Sequence, residues 1–183
     1  MASPVGHSLI GVGCNLLLRG RAVIETGPAE WKYTALFVMA ANLPDIDFLI
    51  GYAIYGNPNA IHSGWTHSLL FCVLASMVLP LFNRLGLPVF RAGIAYFVTV
   101  LSHDGVDLLT GPAVGLHPSY GVPLLWPFYG GKITVPFSVF PGVRHRNLDQ
   151  LLSPDNFRGA GYEVLLLLPV IVLLFMIIRR GEA

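Results

Sequence analysis

The chain has 183 residues, of which 54% are hydrophobic and only 11% charged, and a soluble domain rarely exceeds ~45–50% apolar residues. Its formal net charge of +1 comes from scattered lysines and arginines. That excludes the basic stripe needed to capture nucleic acid and leaves an integral membrane protein as the class, with residues 1–183 forming a single domain.

In chain order, the first apolar stretch, 5–18, has no basic region before it and no small-residue cleavage site. It reads as a retained helix rather than a removable leader. This stretch and 32–41 fall short of the ~20 residues of a full span, so they are expected to be tilted, partly embedded or buried by their neighbours. Residues 69–82 and 87–101 read as an apolar helical hairpin turned by Asn83-Arg84-Leu85-Gly86, a polar, glycine-bearing connection. The stretch 111–161, rich in glycine, proline and aromatics, reads as irregular or as short interfacial helices able to cap a site. Residues 164–178 are apolar apart from Pro169 and close on Arg179-Arg180, the pattern of a membrane helix with a basic stop. The predicted fold is all-α: a multi-pass membrane bundle of about four to five helices with an irregular Gly/Pro/aromatic segment. Cys14 and Cys72 lie in apolar stretches without CxxC spacing and are assigned to the core.

Five short polar islands interrupt this chain: His7, Asn42-Leu43-Pro44-Asp45-Ile46-Asp47, His62, Thr66-His67-Ser68, and Ser102-His103-Asp104-Gly105-Val106-Asp107. A carboxylate or imidazole beside long apolar runs carries a desolvation cost unless it is paired, metal-bound or facing a wet cavity. Counting residues up each helix at ~1.5 Å per residue places these islands at one end of the bundle. Arg19, Arg21, Lys32, Arg84, Arg91, Arg179 and Arg180 gather at the other end, which the positive-inside rule assigns to the cytoplasm. That arrangement requires a helix to end near Pro44; if the run from Phe48 to Tyr55 continues it, the topology changes.

His103 and Asp107 are spaced i,i+4, on one helix face, where they can share a cation or pair with each other. Asp104 points elsewhere, as a supporting group or a cap. Asp45 and Asp47 diverge by ~200° on a helix, so a turn supplies both to one site, only one is a ligand, or one caps a following helix. His62 lies in a loop, and Thr66 reads as the N-cap of a helix beginning at His67, a position that favours an anionic substrate. Ser8 almost completes a nucleophile elbow, but Ile10 stands where the second glycine belongs. His117 and His145 read as solvent or headgroup contacts.

With His62-Ser63-Gly64-Trp65-Thr66-His67-Ser68, the PDID of residues 44–47, His103-x-x-x-Asp107, His7 and Gly121-Val122-Pro123-Leu124-Leu125-Trp126-Pro127-Phe128, the chain resembles the LexA-regulated, inner-membrane metal-dependent hydrolase family (YdjM-like) over roughly residues 1–130. The resemblance implies a bacterial, multi-pass protein of the inner (cytoplasmic) membrane, in some members tied to the DNA-damage response. The His/Asp order is also similar to the all-helical zinc-dependent phospholipase C site. These likenesses imply metal binding at Asp45 or Asp47, His67, His103 and Asp107, with His7 as a further candidate. One departure is Ser63, where the family often has an arginine after the first histidine of its motif. The full candidate ligand set is His7, Asp45, Asp47, His62, His67, His103 and Asp107. An uncoordinated Asp45 or Asp47 is the candidate general base, and Thr66, Ser68 and Trp126 are candidate substrate contacts. The expected cofactor is a divalent metal, Zn²⁺ ahead of Mn²⁺ or Fe²⁺, acting on a lipid or other phosphoester at the bilayer. A metal-ion transporter and a membrane protein merely clamped by metal are the alternatives.

Overall fold

A computed structural model of the chain describes residues 1–20, 23, 30–145 and 148–180. Arg21 and Arg146 lie outside the described residues. Helix α1 (Pro4–Arg19) opens on Ser3, whose hydroxyl accepts from the Gly6 amide, with proline in the first turn. Both features satisfy or dispense with orphan N–H groups. Helix α2 (Glu30–Ala41) gives way to a 3₁₀ turn, Leu43–Asp45, and then to α3 (Ile46–Tyr55). The run from Phe48 to Tyr55 is thus helical, but it is bent by 57° from α2 at Pro44, which cannot donate to the helical ladder.

Helix α4 (Leu69–Phe82) begins two residues later than Thr66 capping predicts. Trp65–His67 form a 3₁₀ turn, and Ser68 is the cap, its hydroxyl accepting from Phe71 N. The return helix, α5 (Val89–Leu108), extends well past residue 101 and carries both His103 and Asp107. Beyond it, the chain from 110 to 143 is irregular. It is tied down by a two-residue parallel pair, β1 (Thr110–Gly111) with β2 (Phe140–Pro141), and by isolated bridges Gly115↔Ser138 and Val122↔Ile133. The Leu69 amide donates to Leu124 O at 3.0 Å, so this cap is fastened to the start of α4.

After the short α6 (Leu148–Leu151), α7 runs from Pro154 to Arg180. The irregular segment therefore ends before 154 rather than at 161. Pro154 suits a first turn, and the Ser153 hydroxyl accepts from Asn156 N.

Helix α1 packs on α2, α5 and α7, and α4 packs on α5. The core is built largely of small residues (Cys14, Ala40, Cys72, Ala75, Ala95), while Leu70, Leu74, Met77, Leu81, Phe90 and Ile94 face outward. Small residues let backbones approach: a Cβ on Gly11 would meet Phe37 O at 2.9 Å. Small inside and large apolar outside is how helices pack in lipid. Helix α7 has 27 residues, about 40 Å, and only Glu163 is buried on it. It is the one described helix that alone is long and apolar enough to cross a bilayer. The protein is therefore expected to remain in the membrane pellet through a carbonate wash and to require detergent; its appearance in the supernatant would contradict this.

Arg19, assigned from sequence to a basic membrane rim, is buried. It pairs with Glu30 and lies over the Tyr33 ring at 4.1 Å, and Asn15 donates to Glu30 Oε1 at 2.9 Å. Because Arg19→Ala would leave Glu30 buried without its arginine, it is expected to cost about 3–5 kcal/mol, read as a lowered melting temperature in detergent.

Candidate metal centre

The kink at Pro44, the 3₁₀ turn at Trp65–His67 and the last turns of α5 bring their polar groups together. Asp45 Oδ1 lies 3.5 Å from His67 Nε2 and 3.6 Å from His103 Nε2. Asp107 Oδ2 lies 3.7 Å and 3.6 Å from the same two nitrogens, which are themselves 3.2 Å apart. Asp45, His67 and His103 thus bring three donors within reach of one cation, and Asp107 closes a neighbouring group with His103 and His7, in the mixed imidazole and carboxylate chemistry that suits Zn²⁺.

The donors are set for a cation rather than for one another. His103 is fully buried, and its Nδ1 meets the Ala41 carbonyl at 2.8 Å. That contact places the proton on Nδ1 and leaves Nε2 with its lone pair turned into the site. Both Asp45 oxygens are buried and accept no hydrogen bond among the described residues. In the absence of a cation, burial opposes a charge on His67, but the adjacent carboxylates of Asp45 and Asp47 outweigh it and raise its pKa to about 10. A proton then occupies the place that a cation would take.

The two aspartates after Pro44 divide their work, as the angle between them on a helical turn requires. Asp45 faces the ligand set. Asp47, in the first turn of α3, accepts the Thr66 hydroxyl at 2.6 Å, lies 3.4 Å from His67 Nδ1 and bonds His62 Nδ1 at 2.9 Å. Asp47 and Thr66 thus orient the far side of the His67 ring, the usual support for a ligating imidazole. Asp47, His62 and His67 themselves form a further close group of donors on that side of the ring.

His62, although in a loop, has a side chain only 5% exposed, and its Nε2 has no hydrogen-bond partner among the described residues. His7 stacks on His103 with centroids 3.8 Å apart, and its Nε2 is 3.4 Å from Asp107 Oδ1. Asp104 turns away from the set and accepts from Cys72 Sγ at 3.4 Å. Ser68 is occupied as a helix cap, with its own proton on Trp65 O.

A cavity of about 770 Å³ adjoins the centre, with Asp107 and His62 among its walls together with Asn59, Tyr120, Lys132 and His145. Trp126 is 39% exposed and lies outside that lining. His145, expected at solvent, is partly buried instead: its ring packs on that of His62 at 5.2 Å and its Nδ1 meets the Asn59 side chain. Burial and the nearby His62 push its pKa down to about 4. His117 is exposed.

The sequence reading passed over Glu163. It is fully buried on α7 and accepts both the amide and the hydroxyl of Ser3. An ionisable residue beside an apolar run was the available signal, but placing the helix start at 164 left it at a boundary.

Fold and centre together define a mostly helical protein with an apolar span and a buried His/Asp cluster suited to a divalent cation. The chain belongs to the YdjM inner membrane protein family, whose model matches residues 1–182. Comparison with curated proteins and with solved structures gave no match.

Proposed function

We propose that this protein is a multi-pass, membrane-embedded, metal-dependent hydrolase acting on a phosphoester of an amphipathic substrate. The observation that carries the reading is the convergence of Asp45, His67, His103 and Asp107, with five of their donor separations at 3.2–3.7 Å, beside a large cavity that Asp107 lines. A transporter strings its polar groups along a path through the bundle, whereas these lie at one level.

The donor set fits Zn²⁺, with Mn²⁺ and Fe²⁺ as alternatives decided by availability. A divalent ion held there supplies Lewis acidity, polarising a phosphoryl oxygen and acidifying water. The chain's own residues do the rest. His103 is locked by Ala41 O and His67 by Asp47 and Thr66, so neither ring needs to reorganise during a reaction. The His62 ring, held through Nδ1 by Asp47, forms part of the cavity wall beside Asp107. Lys132 gives the wall a cation for an anionic head group. The outward-facing Leu125, Trp126, Phe128 and Tyr129 form an aromatic lip of the kind that sits at headgroup level.

The test is a panel of a short-chain phospholipid, a polyprenyl phosphate and a small soluble phosphoester, offered to metal-loaded protein in detergent. Cleavage of a lipid substrate is expected, with Trp126→Ala lowering lipid turnover more than soluble-ester turnover. Cleavage of soluble esters alone, indifferent to Trp126, would remove the lipid substrate, and no cleavage in the presence of bound metal would remove the hydrolase.

A further inference from the structure

A carboxylate inside a membrane-spanning helix is costly and needs a reason. Glu163 is fully buried on α7, which otherwise turns apolar side chains outward. Its Oε1 accepts the Ser3 amide at 2.9 Å, and its Oε2 accepts the Ser3 hydroxyl. The same hydroxyl oxygen accepts from Gly6 N at 3.2 Å, closing the first turn of α1. If gluing α1 to α7 were all that was needed, a leucine would do it more cheaply. What leucine cannot do is hold Ser3 by two directed bonds in one orientation.

That orientation reaches the metal centre in both directions along the chain. One residue before Ser3, the Ala2 amide donates to Asp107 Oδ1 at 2.7 Å. One turn after it, the His7 amide donates to Ser3 O at 3.1 Å, and the His7 ring lies stacked on His103. Gly6 is where this arrangement tolerates no side chain, since a Cβ there would stand 2.6 Å from Glu163 Oε2.

We propose that Glu163 is a positioning residue for the metal centre: from the membrane-spanning helix it fixes the first turn of α1, and that turn sets the Asp107 carboxylate and the His7 ring against His103. The inference rests on the reading of Asp45, His67, His103 and Asp107 as a metal site and is independent of the reaction performed there. Groups that orient ligands typically contribute 10–100-fold to metal affinity.

The experiment is a Co²⁺ titration of full-length protein in detergent, followed by the ion's visible absorption, which depends on coordination number and geometry. Glu163→Ala is expected to weaken Co²⁺ binding by about 10–100-fold and to change the absorption, with Glu163→Gln restoring part of both because its carbonyl still accepts the Ser3 amide. Gly6→Ala should reproduce the effect with the carboxylate intact, and Ser3→Ala should fall between. Wild-type affinity and absorption in Glu163→Ala, even with a lowered melting temperature, would reduce Glu163 to a packing contact and overturn the proposal. If Glu163→Ala does not fold, wild-type values in both Ser3→Ala and Gly6→Ala would overturn it equally. His67→Ala serves as the separate check: full Co²⁺ binding in that variant would mean that the metal site itself has been misread.

Discussion

Alanine at Asp45, His67, His103 or Asp107 is expected to weaken metal binding by more than about 100-fold, beyond the 10–100-fold that supporting groups contribute. Each substitution removes a donor from the close set that Asp45 and Asp107 form around the His67 and His103 nitrogens. Asp47→Ala should fall in the supporting range, because Asp47 meets His67 at Nδ1, on the side of the ring away from Asp45, and otherwise holds Thr66 and His62. His145→Ala should leave metal content unchanged, since its contacts are with the His62 ring and Asn59. The measurement is metal per protein after equilibrium dialysis against buffered Zn²⁺. Equal content across the ligand variants and His145→Ala would refute the assignment. Melting temperatures are needed alongside, because a buried carboxylate that loses its counter-charge also destabilises the fold.

Removal of the metal is expected to have the largest effect on activity. Dialysis against a chelator should bring phosphoester turnover to the uncatalysed background, and added Zn²⁺, Mn²⁺ or Fe²⁺ should restore it in an order that identifies the working ion. The cavity beside Asp107 offers Lys132 as a cation and the His62 imidazole, and neither alone can both polarise a phosphoryl oxygen and acidify water. Turnover that survives complete metal removal would show that the His/Asp cluster serves another purpose, such as clamping the helices together.

Part of this was legible in the chain. Residues 164–178 announce a span because nothing in them can bear water's absence badly, and α7 contains them. His103 and Asp107 announce a shared face by their spacing alone, since one continuous helix fixes it. The islands at His7, Asp45, His67 and His103 stand out because an oily chain makes every buried polar group conspicuous. Helix counting then put them at one level, as the structure does.

Tertiary structure decided what depends on angles between segments. The sequence left open whether Asp45, Asp47 or both serve the site; the kink at Pro44 aims one at His103 and the other behind His67. His62 looked like a loop residue at the surface, yet packing of the chain after α3 buries it against Asp47. Arg19 read as one of the basic residues gathered at the cytoplasmic end and became the buried partner of Glu30, because whether a charge meets solvent or a counter-ion depends on which helix lies opposite. Glu163 is the extreme case, as its partner Ser3 is 160 residues away. Composition and spacing identify groups that must be satisfied, since desolvation cost is a property of the residue. Which partner satisfies each one is a matter of distances of a few ångströms between remote segments, and only the packed helices set those.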